Sequence, residues 1–174
     1  LINILGNTGA IFSSLGRVDS IDSVYLEKGI ESYKAEIENL VGQSIPFYIV
    51  LNLTKFGELT DMLGGMKIFV PSPVDVKNEE GQRYLLPSGV VSLDGEKIQS
   101  YLNYEKSDEP EDDLIERRQN VLLAFFSALS RNEKIIQDKK SFDVISKKMT
   151  SNLDDDEFRS EERRVRKNAF VPVL

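Results

Sequence analysis

Two residue types that carry much of protein chemistry are missing from this chain of 174 residues: it has no cysteine and no histidine. Without cysteine there is no disulfide and no thiol nucleophile. Without histidine the commonest general base and the commonest metal ligand are both gone. Any chemistry must therefore run on carboxylates, arginine, lysine, hydroxyls or backbone amides. Positive charge is also in deficit, with 22 Lys and Arg against 29 Asp and Glu, a formal net charge of −7 and a pI near 4.8. That balance argues against nucleic acid as a partner, which would call for a basic face. No apolar run approaches the roughly 20 residues that a bilayer requires. Membrane attachment would have to come through an anchor outside this chain. The chain opens on Leu1 rather than methionine, which leaves room for an upstream signal or anchor.

What is present reads as alternating elements of one α/β domain over residues 1–174, a mixed central sheet covered by helices. Leu1–Leu5 reads as a short strand ending in the turn-rich Gly6-Asn7-Thr8-Gly9. Over 27–41 the apolar residues Ile30, Tyr33, Ile37, Leu40 and Val41 keep helical spacing, and Gly42 suits a C-terminal cap. The run 45-IPFYIVLNL-53 predicts a strand buried on both faces. Thr54 is the candidate cap of the next helix, whose inner face is Phe56, Leu59 and Leu63 and whose end is Gly64-Gly65. Lys67–Val70 predicts a strand stopped by Pro71 and Pro73, and 72–90 a surface loop or hairpin. A short helix starts at 93-LDGE-96 and runs toward Tyr101. The strongest periodicity is at 114–129, with Leu114, Ile115, Val121, Leu122, Phe125 and Leu129 along one side. Phe142, Ile145 and Met149 mark a shorter helix. Asp154-Asp155-Asp156 reads as a helix start, with Arg163, Arg164, Arg166 and Lys167 at its far end, and 170–174 as a final strand.

The segment most suggestive of chemistry is 100-SYLNYEKSDEPEDDLIERRQN-120, an acidic knot followed by a helix opening on two arginines. A charge run of this kind is ordinarily a solvated loop. The functional alternative is a cation site or a catalytic base such as Asp108 or Glu111. Arg117 and Arg118 could equally be exposed first-turn residues of the helix. The basic cluster at 163–167 fits charge matching at a helix end. Gly6-Asn7-Thr8-Gly9 could cradle a phosphate, but a plain turn suits it better because no lysine follows as in a P-loop.

In order along the chain stand 39-NLVGQSIPFYIVLNLTKFGELTDMLGGMKIFVP-71, 93-LDGE-96, 106-KSD-108 and 115-IERRQNVLLAFF-126. This series resembles the LytR–CpsA–Psr family. Phe56, Asp61, Leu63, Gly64, Gly65, Leu93 to Glu96, Lys106 to Asp108, Ile115, Glu116, Arg117 and Gln119 stand where its pattern wants them. The resemblance implies an extracytoplasmic domain, usually anchored by one N-terminal membrane helix. It implies transfer of a glycopolymer from a polyprenyl pyrophosphate carrier to peptidoglycan or a related acceptor, assisted by Mg²⁺. Such phosphoryl transfer needs several arginines to cradle charge as the bond breaks, a metal held by aspartates, and an apolar tunnel for the prenyl chain.

Against that pattern the chain departs at four cations. Asn103 and Glu105 stand where the family has its Arg-x-Arg pair, Leu114 where an arginine opens the helix motif, and Gly6 where another is expected. The family's metal-holding aspartates would fall before Leu1. A carboxylate facing pyrophosphate repels it, so the resemblance points to a degenerate member. Such a protein would bind a polyprenyl-linked or wall-associated ligand, or a partner protein, without catalysis and with no certain metal. The alternative is an active transferase with a rearranged set, in which Arg17, Arg117 and Arg118 contact phosphate and Asp108 or Glu111 serves as base or metal neighbour. A third reading, outside the family, is an acidic α/β interaction domain without a ligand.

Overall fold

A computed structural model describes residues 4–78, 80–104, 110–154, 156–158, 160, 161 and 164. The sequence calls on 1–3, 105–109, Asp155, Arg163 and 165–174 lie outside these residues. The fold is mixed α/β, as the alternation of periodicities predicts, and the chain divides into two compact units at Tyr48.

The first unit is built on a hairpin that the sequence did not announce. Strands β1 (Gly9–Phe12) and β2 (Arg17–Ser20) pair antiparallel, with Ile11 opposite Val18. The turn closes at Gly16, whose φ of 68° is a conformation that suits glycine. Ile4 and Leu5, the described part of the strand expected at 1–5, lie outside any strand, and the first described strand is at residues 9–12. Helix α1 (Ile21–Val41) starts earlier than its periodicity suggested and is interrupted at Gly29, with φ 78° and ψ −175°. Gly42 caps it as expected, in the left-handed region, donating its N–H to the Glu38 carbonyl at 2.9 Å. Phe12, Ile21 and Val24 form the small core of this unit. The buried Glu36 carboxylate pins the hairpin turn, accepting from Ser14 N–H at 2.7 Å and Ser13 Oγ at 2.9 Å. The Ser14 amide holds its pKa below the usual glutamate range.

The second unit holds the larger core. Strand β3 is only Ile49–Val50, paired antiparallel with β8 (Thr150–Ser151). The nine-residue strand expected at 45–53 is therefore corrected: Ile49 is 43% exposed and none of the nine residues is buried. The run is apolar but β-paired only at Ile49–Val50, because Asn52 ends it by capping helix α2 (Leu53–Met62). The Asn52 side chain, not that of Thr54, accepts the Lys55 N–H at 2.7 Å. Phe56, Leu59 and Leu63 face inward as predicted, and Gly64 and Gly65 turn the chain at φ 76° and 88°.

Strand β4 (Met66–Val70) alternates buried and exposed and pairs antiparallel with β7 (Gly89–Leu93). Between them in sequence, β5 (Val74–Lys77) and β6 (Arg83–Leu86) make another antiparallel pair, so the hairpin reading of 72–90 holds over 74–86, and Gly89 and Val90 already belong to β7. Helix α3 (Gly95–Leu102) starts at its cap Asp94, whose side chain accepts the Lys97 N–H at 2.9 Å. It packs on α2 at close range through Gly57 and Gly95, where Asp61 Oδ1 accepts the Gly95 N–H at 2.7 Å. A Cβ on Gly57 would come within 2.8 Å of the Gly95 carbonyl oxygen.

Helix α4 (Glu111–Arg131) buries Arg117, Val121, Ala124, Phe125, Ala128 and Leu129. Leu122, read as inward-facing, is 37% exposed, and Leu123 is 41% exposed. The inner stripe runs at 117, 121, 124 and 128, which leaves 122 outside it. Helices α5 (Glu133–Gln137) and α6 (Lys139–Ser146) follow, with Phe142 and Ile145 buried and Met149 just beyond α6. Asp154 caps the next turn as expected, accepting the Glu157 N–H at 2.8 Å while Glu157 Oε2 accepts the Asp154 N–H at 3.0 Å.

Candidate functional site

Arg117 lies on the buried stripe of α4, one turn before Val121, and is 6% exposed. Burying a guanidinium is costly unless its charge and donors are met. Here Nη2 donates to the Tyr104 carbonyl at 2.6 Å. The guanidinium carbon lies over two rings, 5.7 Å from the Tyr101 centroid and 5.4 Å from that of Tyr104. Tyr101 comes from the last turn of α3 and Tyr104 from just beyond it. Arg117 lines one wall of a cavity of about 230 Å³, with Pro71 and Pro73 beyond the end of β4, Tyr101, Tyr104 and Pro110 on its other sides. The remaining wall is the exposed, polar side of the α4 start, where Asp113 and Glu116 stand three residues apart with Asn120 beyond them. Among the described residues, the lining carries one cation and two carboxylates.

Of the other sequence-predicted site residues that are described, none lines this cavity. Arg118, the next residue of α4, points to solvent and is not among the lining residues. Arg17 belongs to the other unit, on β2, where it bonds Asp19 through Nε at 2.8 Å and is ion-paired with Glu27; these carboxylates raise its pKa. Gly6 sits against Asp22, accepting its backbone N–H at 3.0 Å. Leu114 is half-buried on α4. Asn103 caps the C-terminus of α3, its N–H bonded to the Gln99 carbonyl at 2.9 Å. It lines a separate polar cavity of about 290 Å³ with Lys77, Asn78, Glu80, Glu96, Gln99 and Ser100. Near it, burial first and the Glu96 carboxylate second push the Tyr84 phenol up. Glu105 and Asp108 lie outside the described residues. Glu111 is the first residue of α4, and nothing is described of its side chain.

The residues that build the cavity were mostly unforeseen. Pro71 and Pro73 were read only as strand stoppers, and Tyr101 and Tyr104 carried no role. The available signal was the Tyr-x-x-Tyr pair spaced to flank a buried cation. As for Mg²⁺, no cluster of three or more metal-binding side chains occurs among the described residues. Asp113 and Glu116 do not by themselves complete an octahedral shell. Among the described residues no helix is long and apolar enough to cross a membrane.

These features fit an α/β domain that carries one arginine site at the start of a long helix. The match to the model of the LytR–CpsA–Psr family runs over residues 1–171, and the chain belongs to that family. Among curated proteins it is similar to the polyisoprenyl-teichoic acid–peptidoglycan teichoic acid transferase TagV of Bacillus subtilis strain 168. The two are 23% identical over 141 residues, which is 79% of this chain and 36% of that protein. Among solved structures, B. subtilis TagV superposes with a TM-score of 0.73 at 20% identity, covering 87% of this chain and 58% of that one. A structure of TagT bound to LI-WTA superposes at 0.71 and 17% identity, covering 92% and 59%. The chain thus spans about a third of that curated relative and under two thirds of the solved chains.

Proposed function

We propose that this chain is part of an extracytoplasmic cell-envelope protein that holds a polyprenyl-linked or wall-associated glycopolymer without transferring it. The observation that supports this most is the state of Arg117. Its guanidinium is buried, donates to a backbone carbonyl and lies against two tyrosine rings, in a cavity whose other charges among the described residues are carboxylates. An anion clamp needs several cations converging on one phosphate. Here Arg118 faces solvent, and Asn103 opens onto a different cavity. Relatives named as teichoic acid transferases supply the ligand class, a lipid-linked wall polymer, and the peptidoglycan context.

The same names favour a second reading, an active transferase in which Arg117 is joined by Arg118 and by Asp108 or Glu111. Mass spectrometry of lipids and saccharides extracted from the natively purified full-length protein separates these readings from a protein-binding role. Co-purified polyprenyl-linked saccharide is expected. Its consistent absence, with a stoichiometric protein partner in its place, would overturn the ligand-holding reading.

A further inference from the structure

The chain is acidic as a whole, with 22 Lys and Arg against 29 Asp and Glu, but residues 131–148 reverse that balance with six against three. Part of the reversal falls on the outer side of α6. Phe142 and Ile145 turn the inner side of this helix into the core, each 1% exposed. Lys140, Val144 and Lys147 are spaced four and three residues apart, which puts them on one stripe opposite that buried pair. Both lysines are exposed, and Val144 between them is 47% exposed. Lys139 is exposed as well.

Local electrostatics does not account for these lysines. Lys139 and Lys140 are the first two residues of α6, where the helix dipole disfavours positive charge. Asp143 is four residues from Lys139 and four from Lys147, yet among the described residues neither of these, nor Lys140, is in an ion pair. Lys148 is by contrast paired with Glu58 of α2. The helix start is also filled from within: Asp138 accepts Ser141 N–H at 2.9 Å and Ser141 Oγ at 2.8 Å. What remains is a convex helix face with free cations and one exposed apolar side chain.

We infer that the outer face of α6 is a contact surface for an anionic bilayer, on which the lysines meet lipid phosphates and Val144 reaches the acyl boundary. Separated point charges on a convex face fit a broad charged plane better than one small anion. Val144 favours lipid over a soluble polyanion, because only a surface with apolar matter beneath its charges repays burying it. Lysine stems lie along such an interface while their ammonium groups stay among the phosphates. The remainder of the chain is strongly acidic and is repelled from the same surface, so the two signs together set one orientation. The contact is weak and reversible, since Phe142 and Ile145 stay in the core and a lone valine inserts little. It is independent of what the Arg117 cavity holds.

The test is sedimentation of the chain with phosphatidylcholine vesicles, either pure or containing about one third phosphatidylglycerol. Binding to the anionic vesicles is expected at low salt, with steep loss by about 0.5 M salt and none to pure phosphatidylcholine. Lys140→Gln with Lys147→Gln, at exposed positions that keep the fold, should weaken partitioning by about 25-fold, roughly fivefold per charge. Lys28→Gln with Lys67→Gln lowers the net charge equally at exposed positions on α1 and β4 and should change partitioning by less than about twofold. Val144→Ser should weaken vesicle binding by about threefold and leave the binding of soluble polyphosphate unchanged. No binding to anionic vesicles, equal losses in the two double variants, or vesicle binding indifferent to Val144→Ser would each overturn the inference. Indifference to Val144→Ser, with polyphosphate displacing the chain from the vesicles, would make an anionic polymer the occupant instead.

Discussion

Gly95→Ala should be among the most damaging small substitutions in the chain. Gly95 opens α3 where it meets α2, and an added methyl would lie 2.6 Å from Asp61 Oδ2 and closer still to the Gly57 carbonyl oxygen. The Gly57 contact is backbone, so relief requires the two helices to separate. Separation would also lengthen the 2.7 Å bond from Gly95 N–H to Asp61. Overpacking of this kind costs about 1–3 kcal/mol, and the backbone clash places it at the upper end. Alanine returns up to about 1 kcal/mol through its better helix propensity and a less flexible unfolded chain. The net loss should be about 2 kcal/mol, or a Tm lower by about 4–8 °C in a domain of this size. Gly9→Ala is the control: its added methyl would meet only the Asp19 carbonyl at 3.9 Å, so its effect should stay within about 0.5 kcal/mol. Urea and thermal melts of parent and both variants measure the difference. Equal stability of Gly95→Ala and the parent would refute the close approach of α2 and α3, and with it the placement of Tyr101 on the cavity wall.

Other outcomes follow from the same geometry. Glu36→Gln should lower Tm at pH 7. The depressed Glu36 pKa stabilises the fold above the ordinary glutamate value, and that contribution is lost as pH falls through the lower folded value, so parent and variant should converge only on the acid side of the ordinary glutamate range in a pH series of melts. Arg117→Ala removes a charge-assisted bond and two ring contacts and should cost about 2–4 kcal/mol in urea titrations, more than the exposed Arg118→Ala. Asn103→Arg would enter the cavity lined by Glu80 and Glu96; calorimetry with a polyprenyl pyrophosphate analogue should show no gain in affinity. Calorimetric titration with Mg²⁺ alone should show no tight binding, and a submicromolar dissociation constant would contradict this.

The legibility of the sequence varied with the kind of signal. Local signals read well: Gly42 as a cap, Asp94 and Asp154 as helix starts, the α4 periodicity, and the ordered motifs that carry the family. Each is set by residues within a turn of one another. Apolarity without alternation read poorly. The stretch 45–53 is hydrophobic enough for a central strand, yet Asn52 caps a helix inside it and only two residues pair. The β1–β2 hairpin was missed because Phe12 to Arg17 offers a single glycine as turn signal. At the site, the sequence marked Arg117 but not its burial, since a cation on an apolar stripe reads equally as a rim residue. Tyr101, Tyr104 and the prolines come together only through the packing of α3, β4 and α4. Proximity across 40 residues is invisible to spacing.

The central claim, holding without transfer, is tested most directly by following radiolabelled glycopolymer from a polyprenyl pyrophosphate donor into peptidoglycan. The assay uses the full-length protein and Mg²⁺, with donor binding measured in parallel. Donor should bind while the peptidoglycan fraction gains no label above a protein-free control. Time-dependent labelling of peptidoglycan that disappears in Arg118→Ala, a variant outside the cavity whose fold is undisturbed, would contradict the account and establish an active transferase with a rearranged arginine set.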